Sequence, residues 1–259
     1  DSTREVVRSI VDHRVRLIEQ KNGGAAAARN RGLREIGSEI VAFLDQDDVW
    51  FADKLATQLP LLDTEVGVVG SLMTYLGPKG PTGAICGEIA DNQQERIAGA
   101  RLMPFPPSAM IARAGLLRDI GGFDVDLFRT VAPIDDLHLL ARVARTHRIL
   151  TVPRPLVYYR IHADALSFSR FYDIQRGTRY LQARADVGTT GRDLTWQEWS
   201  DTARDTRSVR RNERAKFLYR TAGLRIVSGK RVRGVITLAG AAALAPKYVI
   251  PRLRRQLSI

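Results

Sequence analysis

The chain has 259 residues, 44% of them hydrophobic, enough for a large core in one or two domains. Its single cysteine, Cys86, excludes an internal disulfide and fits a reducing compartment. The net charge of +12 lies wholly in residues 171–259, which hold 19 Lys and Arg against 7 Asp and Glu, whereas residues 1–170 hold 21 of each. A neutral globular part is thus followed by a strongly basic region of the kind that seeks nucleic acid, anionic lipid or an acidic partner. The longest uncharged stretch near the C-terminus, Gly234 to Pro246, is 13 residues and too short to span a bilayer.

In chain order, Asp1-Ser2-Thr3 reads as a turn into a helix, with Ser2 or Thr3 as N-cap and Glu5 placed for a capping contact. Val15 to Glu19 reads as a short strand, and Gln20 to Gly24 as a glycine turn. Ala25 to Ile36 is rich in Ala, Leu and Arg and reads as a helix that Gly37 ends. The start of that helix points backbone N–H groups outward, a natural phosphate site, and Arg29 and Arg31 add positive charge. Next comes Glu39-Ile40-Val41-Ala42-Phe43-Leu44-Asp45-Gln46-Asp47-Asp48, an apolar strand that ends in three carboxylates within four residues. Two readings of that end stand: a cation and phosphate site at the C-terminal end of a strand, or an acidic turn that caps the next helix. The order helix, strand, helix, strand implies a parallel sheet covered by helices.

Further on, Lys54 to Leu59 fits an amphipathic helix, Val66 to Tyr75 a buried strand, and Gly77 to Gly83 a loop. Asp91 to Leu102 is ambiguous. Pro104 to Ser108 is a rigid approach to the apolar Ala109–Ala112, and Ala114 to Ile120 a helix closed by Gly121-Gly122-Phe123-Asp124. Pro133-Ile134-Asp135-Asp136 leads into a helix, where paired acids at the N-terminus are ordinary caps. Ile149–Pro153 and Leu156–Arg160 read as two strands, with Pro153 and Pro155 placing their link at a sheet edge.

Asn22-Gly23-Gly24-Ala25-Ala26-Ala27-Ala28-Arg29-Asn30-Arg31-Gly32, followed by Ile40-Val41-Ala42-Phe43-Leu44-Asp45-Gln46-Asp47-Asp48-Val49-Trp50, resembles family 2 glycosyltransferases, which are inverting, nucleotide-sugar-dependent enzymes of the GT-A fold. The resemblance implies an α/β fold with a Rossmann-like, mostly parallel sheet, helices on both faces and a C-terminal helical region. It implies that Asp45 and Asp47 meet the donor and a divalent Mg or Mn ion, with Asp47 the metal ligand, and that Asn22, Arg29 and Asn30 lie near the nucleotide. It makes Asp1-Ser2-Thr3 the end of an Asp-Asp-x-Ser-Thr turn, so that a first strand, a first helix and a base-binding Asp would lie upstream. The same resemblance turns Asp135-Asp136 into a catalytic pair with Asp136 as general base, once Arg142 is aligned to the family's helix arginine. His138 then stands where an acid is frequent, either altering acceptor choice or as an exposed residue with no role. Tyr158-Tyr159-Arg160-Ile161-His162 with Ser167 resembles the family's closing segment, which sets Arg160 and His162 near the diphosphate or metal.

From Phe168 on, helical patterning dominates. Phe168 to Ala185 and Glu213 to Val227 read as amphipathic helices, Gly188 to Gly191 as a break, Trp196 and Trp199 as anchors, and Gly229 to Gly234 as a basic turn. Val235 to Leu244 and Tyr248 to Leu257, flanked by Arg252, Arg254 and Arg255, fit either helices on an anionic membrane surface or a basic face packed on the rest of the protein. The sequence thus divides into a catalytic part at 1–170 and a basic helical part at 171–259.

The expected activity is transfer of a sugar, from a UDP-type donor, to a glycan or lipid-linked acceptor, in the cytoplasm or on the inner face of the cell membrane. A non-catalytic, membrane-associated or glycan-binding derivative of the fold is the alternative. Nucleic acid is not an expected partner, because no motif with interleaved aromatics is present.

Overall fold

The computed structural model describes residues 2–257, and for residues 255–257 the backbone alone; the turn position expected of Asp1 and the side chain of Arg255 lie outside the described residues. Six strands form one sheet: β1 (Ile40–Ala42), β2 (Val49–Trp50), β3 (Val66–Gly77), β4 (Gly80–Cys86), β5 (Ile111–Arg113) and β6 (Arg148–Arg160). Their order is β1-β5-β3-β6-β2, with β4 paired to β3 off that path. β3 supplies the centre because its valines and Met73 are buried, as a strand covered on both faces requires.

The α/β class and the helical C-terminal region are as expected, but the sheet is mixed rather than mostly parallel. Only β3 and β6 run parallel among the described strands; the other four pairings are antiparallel. The reason lies in the connections. β4 follows β3 through a tight turn at Pro78 and Lys79, within the stretch expected to be loop, and a hairpin neighbour is antiparallel. β5 is inserted antiparallel between β1 and β3, so neither contact needs a crossover helix.

Two sequence expectations about strands are corrected. Val15–Glu19 makes no ladder among the described residues, and β1 pairs with β5 alone, so this segment is extended but not a strand; Val15 and Leu17 are exposed. The two strands expected around Pro153 and Pro155 are one, β6, which lies between β3 and β2 in the sheet order, although β2 pairs with it only at Val157 and Tyr158. The register shifts where Ser71 faces Val152 and Leu72 faces Pro155, so the prolines occupy a bulge, the interior position that tolerates a missing N–H.

The helices are α1 (Thr3–Arg8), α2 (Gly24–Glu35), α3 (Lys54–Gln58), α4 (Gln93–Ala98), α5 (Ala114–Asp119), α6 (Val125–Thr130) and α7 (Asp135–Val143), then α8 (Leu166–Ser169), α9 (Phe171–Gly188), α10 (Trp196–Thr202), α11 (Arg207–Val227), α12 (Arg231–Leu244) and α13 (Pro246–Leu257). α4 resolves the ambiguous Asp91–Leu102 stretch as helix. The helix α3 is amphipathic in an unexpected sense. Lys54 and Gln58 are fully buried, and Leu55 and Leu59 are exposed. The Lys54 ammonium donates to Gln58 Oε1 at 2.7 Å and lies 4.4 Å from the centre of the Trp50 ring, and burial lowers it to about 8. Gln58 in turn donates to the carbonyls of Val69 and Ala109, tying α3 to the sheet.

One hydrophobic cluster lies under α2, α5 and α7 and includes Leu33, Phe105, Leu117, Phe123 and Leu140. A second joins α6 and α7 to α9, through Leu127, Ile134, Leu137, Tyr180 and Leu181, with Trp196 and Trp199 packed against it. The two tryptophans thus anchor α10 as expected: Tyr180 meets them at ring-centre distances of 5.4 and 5.8 Å and donates to Leu194 O. The expected basic turn at Gly229–Gly234 is shorter, because α12 already begins at Arg231.

The turn after α5 fixes where α6 and α7 begin. Gly121 and Gly122 have φ of +81° and +66°, and a Cβ on Gly122 would stand 2.4 Å from Asn30 Oδ1. Gly122→Ala is therefore expected to lower stability by about 2 kcal/mol or more in urea unfolding, combining strain with a clash. Gly32→Ala, in the interior of α2 with open space around the new methyl, should instead raise stability by about 0.5–1 kcal/mol. Equal effects at the two positions would contradict this account of the turn.

Candidate active site

Four chain segments meet at one acidic cluster. The first is the turn after β1, closed by Asp48 N–H donating to Asp45 O at 3.1 Å. The second is the N-terminus of α7, with Asp135 and Asp136 in its first turn. The third is α2, which projects Arg29, and the fourth is the end of β6 with Arg160 and His162 beyond it.

Arg29 joins the two acidic elements. Its Nη2 donates to Asp45 Oδ1 at 2.9 Å and its Nη1 to Asp135 Oδ2 at 3.4 Å, with the guanidinium 5.4 Å from the centre of the Phe123 ring. The Arg29 and Asp135 side chains are 15% and 3% exposed, so this bridge is largely out of water, while Asp45 is 35% exposed. Burial alone would lower the Arg29 guanidinium; Asp45, Asp135 and Asp136 outweigh it and hold it raised. Burial raises both Asp135 and Asp136, the neighbouring carboxylate adds to this at Asp135, and Arg29 opposes it at both. Asp136 Oδ1 accepts from Leu137 N–H at 2.7 Å, and the side chain is only half-buried.

The third segment's other candidates are committed locally. Asn30 donates to Phe123 O at 2.7 Å and accepts from Phe123 N–H at 2.8 Å, so its amide clamps the turn before α6. Asn22 is exposed and its Oδ1 accepts from Gly24 N–H at 3.0 Å, shaping the start of α2. Arg31 pairs with Glu35 one helical turn on, rather than facing an anion site. Arg142 donates to Ile120 O and Gly122 O and so braces the same turn as Asn30 from the other side.

At the fourth segment, Arg160 Nε donates to Asp47 O at 2.7 Å, and Arg160 N–H donates to Asp48 Oδ1 at 2.9 Å. His162 Nε2 lies 3.2 Å from Asp47 Oδ2. Sequence reasoning had passed over Asp48, the third carboxylate of the run. It is 7% exposed, and burial pushes it up to about 6, against hydrogen bonds from Ser108 and the Arg160 backbone. Ser108 also accepts from Asp45 N–H at 3.0 Å through its hydroxyl and from the Trp50 indole at 2.8 Å through its carbonyl. The only sequence signal for Ser108 was its place at the end of the proline-rich approach. His138 is also corrected: its side chain is 14% exposed, lies 3.4 Å from Asp124, and burial pushes it down to about 4, so it is not an exposed helix residue.

The donor set at Asp47 fits a small divalent cation. Asp47 Oδ2 and His162 Nε2 stand about as far apart as neighbouring ligands on an octahedral ion with bonds of ~2.1 Å. No group of three His, Cys, Asp or Glu converges to hold a metal among the described residues.

A carboxylate-rich turn at a strand end is thus bridged by arginine to a second acid pair at a helix start, within an α/β domain. Residues 1–113 match the model of Glycosyl transferase family 2, the family that the sequence motifs resemble. Among curated relatives, the chain is 40% identical over 63 residues to the UDP-Glc:alpha-D-GlcNAc-diphosphoundecaprenol beta-1,3-glucosyltransferase WfgD of Escherichia coli, a match covering 24% of this chain and 25% of that protein. It is 40% identical over 65 residues to the putative teichuronic acid biosynthesis glycosyltransferase TuaG of Bacillus subtilis, covering 24% of this chain and 26% of the relative. A longer match, 27% identical over 187 residues, covers 71% of this chain and 70% of the Escherichia coli enzyme WfaP, which carries the same description as WfgD. The chain thus spans about a quarter of the length of WfgD and of TuaG.

The Arg29 bridge generates a prediction. Arg29→Met leaves Asp135 buried without its cation and is expected to cost about 3 kcal/mol in urea unfolding. Adding Asp135→Asn should recover part of that loss, since the uncompensated charge is gone. Additive effects in the double-mutant cycle would show the pair to be energetically uncoupled.

Proposed function

We propose that this protein transfers a sugar from a UDP-type donor to a hydroxyl of a lipid-linked glycan, with inversion at the anomeric carbon. The observation that carries the reading is the Arg29 bridge, because it brings the strand-end carboxylates and the α7 acid pair onto one guanidinium. A donor held at the first would lie beside a base at the second. The activity named for WfgD and WfaP, glucosyl transfer from UDP-Glc to GlcNAc-diphosphoundecaprenol, supports the choice of donor and acceptor class.

In this reading Asp47 and His162 hold the divalent Mg or Mn ion, and Arg160, fixed to the Asp47 turn, faces the diphosphate. When bound, the ion supplies Lewis-acid charge to the departing nucleoside diphosphate. Asp45 retains exposed carboxylate surface to accept from donor hydroxyls while Arg29 fixes its orientation. Asp136, half-buried and raised by that burial, takes the proton from the attacking acceptor hydroxyl. Asp135 is turned to Arg29 and buried, and acts by positioning the α7 start. A single displacement inverts the sugar carbon and needs no covalent nucleophile.

Calorimetric titration tests the donor side on the full chain. UDP is expected to bind in the presence of manganese, and Asp47→Asn to remove the metal dependence. Asp136→Asn should leave UDP binding intact and lower turnover of a UDP-sugar by about 100- to 10,000-fold. No binding of UDP, GDP or CDP with manganese present would overturn the reading in favour of a non-catalytic derivative of the fold.

A peripheral place on an anionic membrane is part of the same proposal. On α12, Val232, Val235 and Ile236 are 75%, 59% and 67% exposed along one face, beside Lys230, Arg231 and Arg233. No Asp or Glu follows Glu213 in the sequence. No described helix is long and apolar enough to cross a membrane, so contact of this kind would be with the surface. Binding to phosphatidylglycerol vesicles should exceed binding to phosphatidylcholine vesicles, weaken with salt, and fall in Val232→Asp/Ile236→Asp. Equal binding by the wild type and that double variant would remove α12 from the account.

A further inference from the structure

Beyond the acidic cluster, an open-sided groove of about 260 Å³ runs between the sheet and the C-terminal helices. Tyr75, Tyr159, Phe168, Leu224, Leu238 and Leu253 supply much of its wall, from β3, β6, α8, α11, α12 and α13. Among the described residues, the charged ones that line it are Arg160 and Arg220, and no carboxylate does so. The Arg220 guanidinium stands 5.1 Å from the centre of the Phe168 ring and 5.7 Å from that of Phe171. Arg160 belongs to two places at once, since its Nε donates to Asp47 O in the acidic cluster. Arg160 is thus the residue that links the groove wall to the cluster.

We propose that this groove receives the hydrocarbon chain of a polyisoprenoid diphosphate acceptor, with Arg220 facing the diphosphate. The inference rests on the lipid-linked acceptor proposed above and assigns it a place. Apolar walls take up hydrocarbon without the cost of dehydrating polar groups. An arginine with no carboxylate beside it among the described lining residues complements an anionic headgroup, and guanidinium suits phosphate in particular. The position beside Asp47 sets the head of the lipid toward the reacting groups and its tail toward α12 and α13.

One glycine points the same way. Gly223 lies within α11 on the face that lines the groove, and a Cβ there would meet nothing within 4 Å. Glycine weakens a helix interior, and no neighbouring atom demands it here. What it does provide is room at the groove wall.

The test is equilibrium binding of farnesyl diphosphate, inorganic diphosphate and UDP with manganese to the full chain. Wild type is expected to bind farnesyl diphosphate at least tenfold more tightly than inorganic diphosphate, and UDP should not displace it. Gly223→Phe should weaken farnesyl diphosphate tenfold or more and leave UDP unchanged, while Gly223→Ala keeps both. Leu238→Trp fills the groove from the opposite helix and should act as Gly223→Phe does, which covers the case of one variant failing to fold. Equal affinity for farnesyl diphosphate in wild type and either filled variant that retains UDP binding would overturn the assignment, as would wild type failing to bind it. If wild type binds farnesyl diphosphate in this pattern but no nucleotide, the donor reading falls and the groove stands. If it binds UDP but farnesyl diphosphate is insensitive to both variants, the groove falls alone.

Discussion

One guanidinium holds the acidic face of this protein together. Asp45 and Asp135 come from a strand end and a helix start, and each stands near a further carboxylate that would drive it away. Brought together without a cation, these groups would repel or take up protons. Arg29 offsets this with a planar fork that reaches both at once, which a lysine ammonium could not match in geometry. The cost is desolvation: the arginine is 15% exposed and Asp135 3%, so each must keep its partner. The bridge therefore gives little net stability but fixes one arrangement of two elements that would otherwise separate.

That arrangement depends on how α7 is delivered. The Gly121–Phe123 turn is held on one side by Asn30, reaching from the same helix as Arg29, and on the other by Arg142, reaching back from α7. Consecutive residues of α2 thus do different jobs: Arg29 binds the carboxylates, and Asn30 binds the backbone that leads to one of them. Arg29 and Asn30, which the resemblance sets near the nucleotide, make in the structure one electrostatic bridge and one backbone clamp.

The parts legible in the sequence were those set by local chemistry. The helix α2 and the acids at the start of α7 follow from propensity, spacing and dipole and lie where they are expected, and the strand before the carboxylates is present but shorter, ending at Ala42. The unread parts are set by distance along the chain. Arg29 and Asp135 are 106 positions apart, and nothing in either neighbourhood announces the other. Lys54 and Gln58 read as a polar helix face, yet they are buried because each satisfies the other and the pair caps carbonyls of β3 and of Ala109. Val15–Glu19 has strand composition, but a strand exists only with a neighbour to pair with, and composition does not supply one. Pro153 and Pro155 correctly signalled a break in the ladder; a bulge inside β6 satisfied that signal as well as a sheet edge would have.

The charge distribution then acquires a structural meaning. Residues 1–170 balance their charges overall, and at the acidic cluster Arg29 is shared between Asp45 and Asp135. The C-terminal helices carry an excess of cations, and after Glu213 no acid accompanies them. Such a surface is a poor partner for its own kind and a good one for an external anion. Arg160 stands at the boundary, bonded to the Asp47 turn on one side and lining the groove beneath α11 on the other. On the proposed reading the donor's charge is met by the internally balanced part and the acceptor's by the unbalanced part. The two substrates then need not compete for the same cations, and the acceptor can be drawn from an anionic surface without displacing the donor.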